Sequence, residues 1–398
     1  METTQQESQD ETKKPEELSV EEEKAKHELA LYYNERVKLH PNNKEELRER
    51  CELIYTNLKN ENILKSKMLT QPTFELIPVE YLAKIHSQSL IDKVLSFEEY
   101  DENIITSVFG EDNYENKHTT EAARIAAGGA YQAMKDVLSS TSTVKSAFAL
   151  VRPPGHHSCV SETDGYCFFN NAAVAATYAK ELFGLKKILI LDWDVHHGDG
   201  TQEIFYNDPE VFYMSMHRWE NGIYFPSKET SNYTFTGGEN AKGFNLNIPW
   251  NTTKTILEPS SVGTKEYKYL FENLLFGIIE EYAPEFIILS AGFDSAKGDP
   301  LGQQQVEHEF YYWACQNLQK LCPKIMLLLE GGYNKYTIVN CSTLCVQALM
   351  GYEKAIHLED SKIEDILPEA IESIKNAASA HSEYWNTAKT LTEQIGKE

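Results

Sequence analysis

The stretch KILILDWDVHHGDGT, residues 187–201, joins two unlike halves. Lys187–Leu191 is a short apolar run containing two β-branched isoleucines, and such a run predicts a buried strand. Directly after it stand Asp192, Asp194, His196, His197 and Asp199. As mere caps and turn formers these ionisable groups would be costly beside an apolar run, because burial without a partner is penalised. On a strand, alternate side chains share a face, so Asp192, Asp194 and His196 are expected to point at a common centre. Two carboxylates and one imidazole suit a divalent ion such as zinc, although Fe(II) fits the same donors. Open α/β sheets bind their ligands at the carboxyl ends of strands, where this cluster falls.

Working outward, strands and helices alternate. Strands are expected at Ser146–Val151, Lys187–Asp192, Val211–Met216, Gly243–Ile248, Phe286–Ser290 and Lys324–Leu329. Helices are expected at Glu121–Leu138, Ala172–Phe183, Thr264–Tyr282, Val306–Leu321 and Thr337–Leu349. The pair Gly128 and Gly129 is expected to bend the first of these. This alternation implies an α/β fold with a parallel sheet covered on both faces. Four of the strands run into conspicuous chemistry: His156 and His157, the 192–199 cluster, Asp294, and Tyr333. In a parallel sheet those ends share one edge, so distant residues can line one pocket.

The rest of the chain bounds the answer. Its 398 residues suffice for one large α/β domain. Residues 1–18 read as a disordered acidic tail and 19–392 as the folded domain; Ser19 and Glu22 look like a capping box opening a helix through Arg36, and a second helix is expected from Lys44 to Lys59. Ile363–Gln394 reads as amphipathic helix restarting at Pro368 and docking on the body. A net charge of −24 disfavours direct nucleic-acid binding and favours basic polypeptides as partners. Seven scattered cysteines, among them Cys51, Cys315, Cys322, Cys341 and Cys345, read as core thiols of a reducing compartment. The N-terminus has no secretory h-region, and no apolar stretch approaches the roughly 20 residues of a membrane span. The expected location is therefore cytoplasmic and/or nuclear, without membrane association.

Taken together, RPPGHH (152–157), GYCFFNNAAVAA (165–176), DWDVHHGDGT (192–201), SAGFDSAKGDPLG (290–302) and LEGGYN (329–334) resemble the zinc-dependent histone deacetylase family, specifically its class II branch. The resemblance runs from about His40-Pro41 to Glu383-Tyr384-Trp385. It implies the arginase–deacetylase fold, a single domain with a central, mostly parallel eight-stranded sheet flanked by helices. It implies zinc on Asp194, His196 and Asp294, with His156 and His157 facing the reacting water. Asp192 and Asp199 would then orient those histidines, and Tyr333 would donate to the oxyanion. His157 is the expected principal base, then acid, and His156 is electrostatic. The implied activity is hydrolysis of N6-acetyl-lysine in proteins, histone or non-histone, with corepressor or cytoskeletal proteins as candidate partners.

The same resemblance places Gly165, Tyr166, Phe225 and Leu301 at the substrate tunnel. Tyr166 departs from the family's usual phenylalanine. The segment Lys117–Thr120 matches the one that holds substrate backbone. Structural potassium is implied at two sites, one at Asp192, Asp194, His196, Ser215 and Met216, the other at Phe205, Asp208, Val211 and Phe244. Two alternatives stay open. An acetylpolyamine deacetylase would share the chemistry but carry an acidic gate where Leu301 stands, and a non-catalytic acetyl-lysine-binding scaffold would have lost some of these residues.

Overall fold

Residues 28–42, 45–101, 105–110, 113–356, 358–360 and 362–395 are described by the structure, a computed structural model. The strands are β1 (Glu28–Tyr33), β2 (Leu69–Thr70), β3 (Val144–Leu150), β4 (Ile188–Asp192), β5 (Val211–Arg218), β6 (Asn245–Trp250), β7 (Phe286–Ala291) and β8 (Ile325–Leu329). They form one sheet in the order β2-β1-β3-β8-β7-β4-β5-β6. Every pairing is parallel. All carboxyl ends therefore lie on one edge, and β4 is flanked by β7 and β5.

The strands are apolar on both faces because helices cover both. Leu189 and Leu191 of β4 enter one core, and Ile188 and Ile190 enter the other. β7 divides likewise, Ile287 and Leu289 against Phe286 and Ile288. Each such fully buried side chain contributes about 1.5–3 kcal/mol relative to exposure. This gives the sheet edge a rigid base.

Several expectations need correction. The helix expected through Arg36 is wrong over its described part: Glu28–Tyr33 is a strand, followed by a 3-10 turn at Glu35–Leu39. Its residues 19–27, and the tail at 1–18, lie outside the described residues. ELALYY splits its side chains between the two cores, Leu29 and Leu31 against Ala30 and Tyr32. The sheet gap beside β3 decides its conformation, which a six-residue apolar run leaves ambiguous. The helix expected at Lys44–Lys59 is two pieces, Glu45–Arg48 and Arg50–Asn60. The Thr264–Tyr282 helix contains a π turn at Phe271–Leu275. The helix Thr119–Leu138 runs continuously through Gly128 and Gly129. A Cβ at Gly128 would instead overlap the Glu75 carbonyl oxygen, so the residue permits close backbone approach.

The C-terminal segment docks as expected, through the helices Pro368–His381 and Asn386–Ile395. Trp385 stacks on Phe212 with ring centroids 5.2 Å apart, and its indole N–H donates to the Gly243 carbonyl at 2.9 Å. All seven cysteines are buried and free. Among the described residues no helix is long and apolar enough to cross a membrane.

Candidate active site

Strand β4 ends at Asp192, and the chain then turns tightly enough that Asp192 and Asp194 part company. Asp192 Oδ2 takes His156 Nδ1 at 3.1 Å and the Tyr213 hydroxyl at 2.9 Å. The common centre is instead shared by Asp194, His196 and Asp294, whose ligand atoms lie within 4.8 Å of one another. Asp294 is delivered by the end of β7, the neighbour of β4. His196 Nδ1 stands 3.0 Å from Asp194 Oδ1 and 3.2 Å from Asp294 Oδ2.

This donor set fits a divalent cation. Both carboxylates are fully buried, and Asp294 Oδ2 makes no hydrogen bond among the described residues. One imidazole nitrogen cannot serve both carboxylates, whereas a cation among the three groups satisfies all of them. Burial opposes charge on His196, yet Asp194 and Asp294 raise its pKa to about 10. Burial, with Asp194 beside it, raises Asp294 to about 7. The remaining lone pairs are held by the backbone. Asp194 Oδ2 accepts from Gly331 N at 2.7 Å, and Asp294 Oδ1 accepts from Val195 N at 2.8 Å. A Cβ at Gly331 would lie 2.5 Å from Asp194 Oδ2 and closer still to Asp294 Oδ2, so only glycine leaves room there.

The loop after β3 brings His156 and His157 beside this cluster, ring centroids 4.0 Å apart. His157 Nδ1 is 2.7 Å from Asp199 Oδ1. The two imidazoles differ electrostatically. Burial disfavours charge on His156, but Asp194 and Asp192 outweigh it and raise its pKa well above the usual range. Burial and the neighbouring His156 lower His157 to about 4, against the pull of Asp199. Of the pair, His157 is the imidazole that its surroundings hold toward the neutral, proton-accepting form.

A cavity of about 350 Å³ opens above these groups, lined by His157, Gly165, Tyr166, His196, Phe225, Leu301 and Tyr333 among others. All four expected tunnel residues are in that lining. Tyr333 follows β8; its ring centroid is 6.5 Å from that of His196 and 5.9 Å from that of Tyr166. Burial, with Asp294 and Asp194 nearby, raises its phenol well above the usual range, so it stays a hydrogen-bond donor. The segment Lys117–Thr120 does not line the cavity; Thr119 and Thr120 are buried at a helix start.

The residues expected at the first cation site lie beside the cluster, whereas Val211 of the second is in register with Ile188 at the opposite end of β4. Ser215 is in register with Asp192 across β4 and β5, and its Oγ is 2.8 Å from His217 Nδ1. Phe205 and Asp208 carbonyls accept from Asp208 N and Val211 N, while the Phe244 carbonyl accepts from Tyr213 N. The Asp208 carboxylate pairs with Lys180.

Several contributors were not foreseen. Tyr224 stacks on His196 at 5.4 Å and is capped by the buried guanidinium of Arg218 at 4.6 Å. Glu330 Oε2 accepts from Gly155 N at 2.8 Å, tying β8 to the histidine loop. Asn113 Oδ1 accepts from the backbone N–H of Tyr166, which holds a φ of 67°. Lys228 Nζ lies 2.5 Å from Asp199 Oδ2. Glu330 lies within the motif LEGGYN, Tyr224 precedes Phe225 and Asn113 partners Tyr166, but nothing in their spacing marks their roles, because their partners are distant in sequence.

With this geometry in place, the comparisons with known proteins are direct. The histone deacetylase domain profile matches residues 44–349, and the chain belongs to that family. Its relatives are class II-like. It is 35% identical to histone deacetylase 15 of Arabidopsis thaliana over 338 residues, 85% of this chain and 58% of that protein. It is 38% identical to the polyamine deacetylase HDAC10 of Mus musculus over 311 residues, 77% of this chain and 45% of that protein. The solved HDA15 HD domain superimposes with a TM-score of 0.82 at 32% identity, covering 94% of this chain and all of that one. The chain thus spans about half the length of these curated relatives, and its fold is the arginase–deacetylase fold.

Proposed function

We propose that this chain hydrolyses the N6-acetyl amide of lysine in polypeptides, releasing lysine and acetate. The observation that carries the reading is the buried triad Asp194, His196 and Asp294, whose His196 lines a cavity walled also by His157 and Tyr333. Zinc is the metal of the family, and when bound by those three side chains it supplies Lewis acidity there.

The chain's own residues do the rest. His157, held through Nδ1 by Asp199, accepts the proton of the attacking water as the oxygen–carbon bond forms. His156, charged and held by Asp192, stabilises negative charge without leaving its place. The Tyr333 hydroxyl donates to the oxyanion of the tetrahedral species. His157 then returns its proton to the lysine nitrogen as the carbon–nitrogen bond breaks. Tyr166 and Phe225 provide apolar ring surface for the four-carbon lysine stem.

Leu301 supports a polypeptide over a polyamine. It lines the cavity and is 39% exposed, where an acidic side chain would be needed to pair with a cationic amine. The net charge of −24 favours basic acetylated proteins, in the cytoplasm and/or nucleus. Potassium at the two backbone sites named above belongs to the same reading; the successive turns at Phe205–Val211 support it. Zinc-loaded protein should turn over an acetyl-lysine peptide in preference to acetylspermidine. Equal or reversed preference would refute the polypeptide assignment, and failure on both would refute the deacetylase.

A further inference from the structure

The two histidine–aspartate pairs of the site are built differently. Behind His156, Asp192 meets a phenol, that of Tyr213. Behind His157, Asp199 meets an ammonium: Oδ1 faces His157 Nδ1 at 2.7 Å and Oδ2 faces Lys228 Nζ at 2.5 Å. Asp199 is buried, whereas the Lys228 side chain is 45% exposed. Lys228 and Asp199 line a separate surface cavity of about 260 Å³, together with Glu203, Tyr206 and Phe235. This cavity's lining shares no residue with that of the substrate cavity.

The backbone of Lys228 is itself fixed. Its carbonyl accepts from the Trp219 indole N–H at 3.1 Å and from Ser231 N at 3.2 Å. Three residues earlier on the same turn, the Phe225 ring packs edge-on against His157 at 5.0 Å. Residues 225–228 therefore grip His157 twice, once directly by a ring and once through Asp199. An exposed ion pair contributes little, but here one partner is a buried carboxylate with a second obligation to an imidazole.

Resting on the deacetylase reading, we infer that Lys228 is a positioning residue for the reaction: by clamping the outer oxygen of Asp199 it fixes the carboxylate that aims His157 into the tunnel. General-base catalysis contributes roughly 100- to 10,000-fold, so loosening the base is expected to cost about tenfold in kcat. The test compares Lys228→Met, Lys228→Arg, Asp199→Asn and the Asp199→Asn/Lys228→Met double variant of the zinc-loaded chain on an acetyl-lysine peptide.

Lys228→Met is expected to lose about tenfold in kcat with KM within about twofold, and Lys228→Arg to recover most of the loss. In the Asp199→Asn background, Lys228→Met should cost nothing more, because the two act as one unit. Melting temperatures identify any variant that misfolds, and Lys228→Arg keeps the inference testable if Lys228→Met does. An unchanged kcat in Lys228→Met, no recovery in Lys228→Arg, or a full further loss in the double variant would each overturn the inference. Full turnover in Asp199→Asn would likewise remove Asp199 from the aiming of the base, whereas no turnover by the zinc-loaded parent chain would overturn the deacetylase reading beneath it, a result distinguishable from the others.

Discussion

Tyr333→Phe removes one oxygen atom from the wall of the cavity. The backbone of Tyr333 is anchored independently, its N–H donating to Asp299 Oδ2 at 2.6 Å. Its ring lies against Tyr166 and under the Arg50 guanidinium at 5.6 Å, contacts that phenylalanine keeps. The hydroxyl donates to no protein acceptor among the described residues, so the fold loses no hydrogen bond. Its only use is then toward a ligand. Loss of one oxyanion donor costs about 100- to 1,000-fold in kcat, or about 2.7–4 kcal/mol of transition-state stabilisation. The expected result is that loss, with KM and melting temperature close to those of the parent. Steady-state turnover of an acetyl-lysine peptide, with acetate release measured directly, reads it. A Tyr333→Phe variant within a few-fold of the parent kcat would remove the phenol from the mechanism. A parallel drop in melting temperature would show that the hydroxyl serves the fold.

Gly331→Ala forces a methyl group against the two buried ligand carboxylates, and zinc affinity should fall by about 10- to 100-fold, as for other losses in the support of metal ligands. Titration calorimetry of metal-stripped protein measures this directly, and unchanged affinity would mean the carboxylates need no such room. Leu301→Glu should raise turnover of acetylspermidine relative to an acetyl-lysine peptide by about tenfold or more, since one well-placed charge pair contributes on the order of 1–2 kcal/mol. The Leu301 carbonyl remains tied to the Tyr224 hydroxyl at 2.8 Å, so the backbone of the gate should not move, and an unaltered ratio would refute Leu301 as the gate. Gly128→Ala tests packing against propensity. Helix propensity alone predicts a gain of about 1 kcal/mol, but overlap with the Glu75 carbonyl should outweigh it, giving a net loss of about 1–3 kcal/mol in denaturant melts.

Much of this is legible in the sequence alone. Ile188–Asp192 announces itself because a buried strand must be apolar and the ionisable residues must wait until it ends. The repetition of that pattern at β3, β7 and β8 places four sets of reactive groups on one edge, since parallel strands share a direction. Strand β1 was misread for a comparable reason: ELALYY is short, follows a charged helical-looking run, and is apolar in a way either conformation can use.

The sequence by itself determined which side chains could do chemistry and at which strand ends they stand, because periodicity and residue type are local properties. Only the tertiary structure decided which of them meet. It turned Asp192 away from the centre and toward His156, and brought Asp294 within 3.2 Å of His196 across 98 residues of chain. It set Lys228 behind Asp199, and it pushes the pKa values of His156 and His157, adjacent in sequence, in opposite directions. Distances between residues far apart in the chain, and the low-dielectric burial that gives those distances their force, arise only once the sheet is assembled.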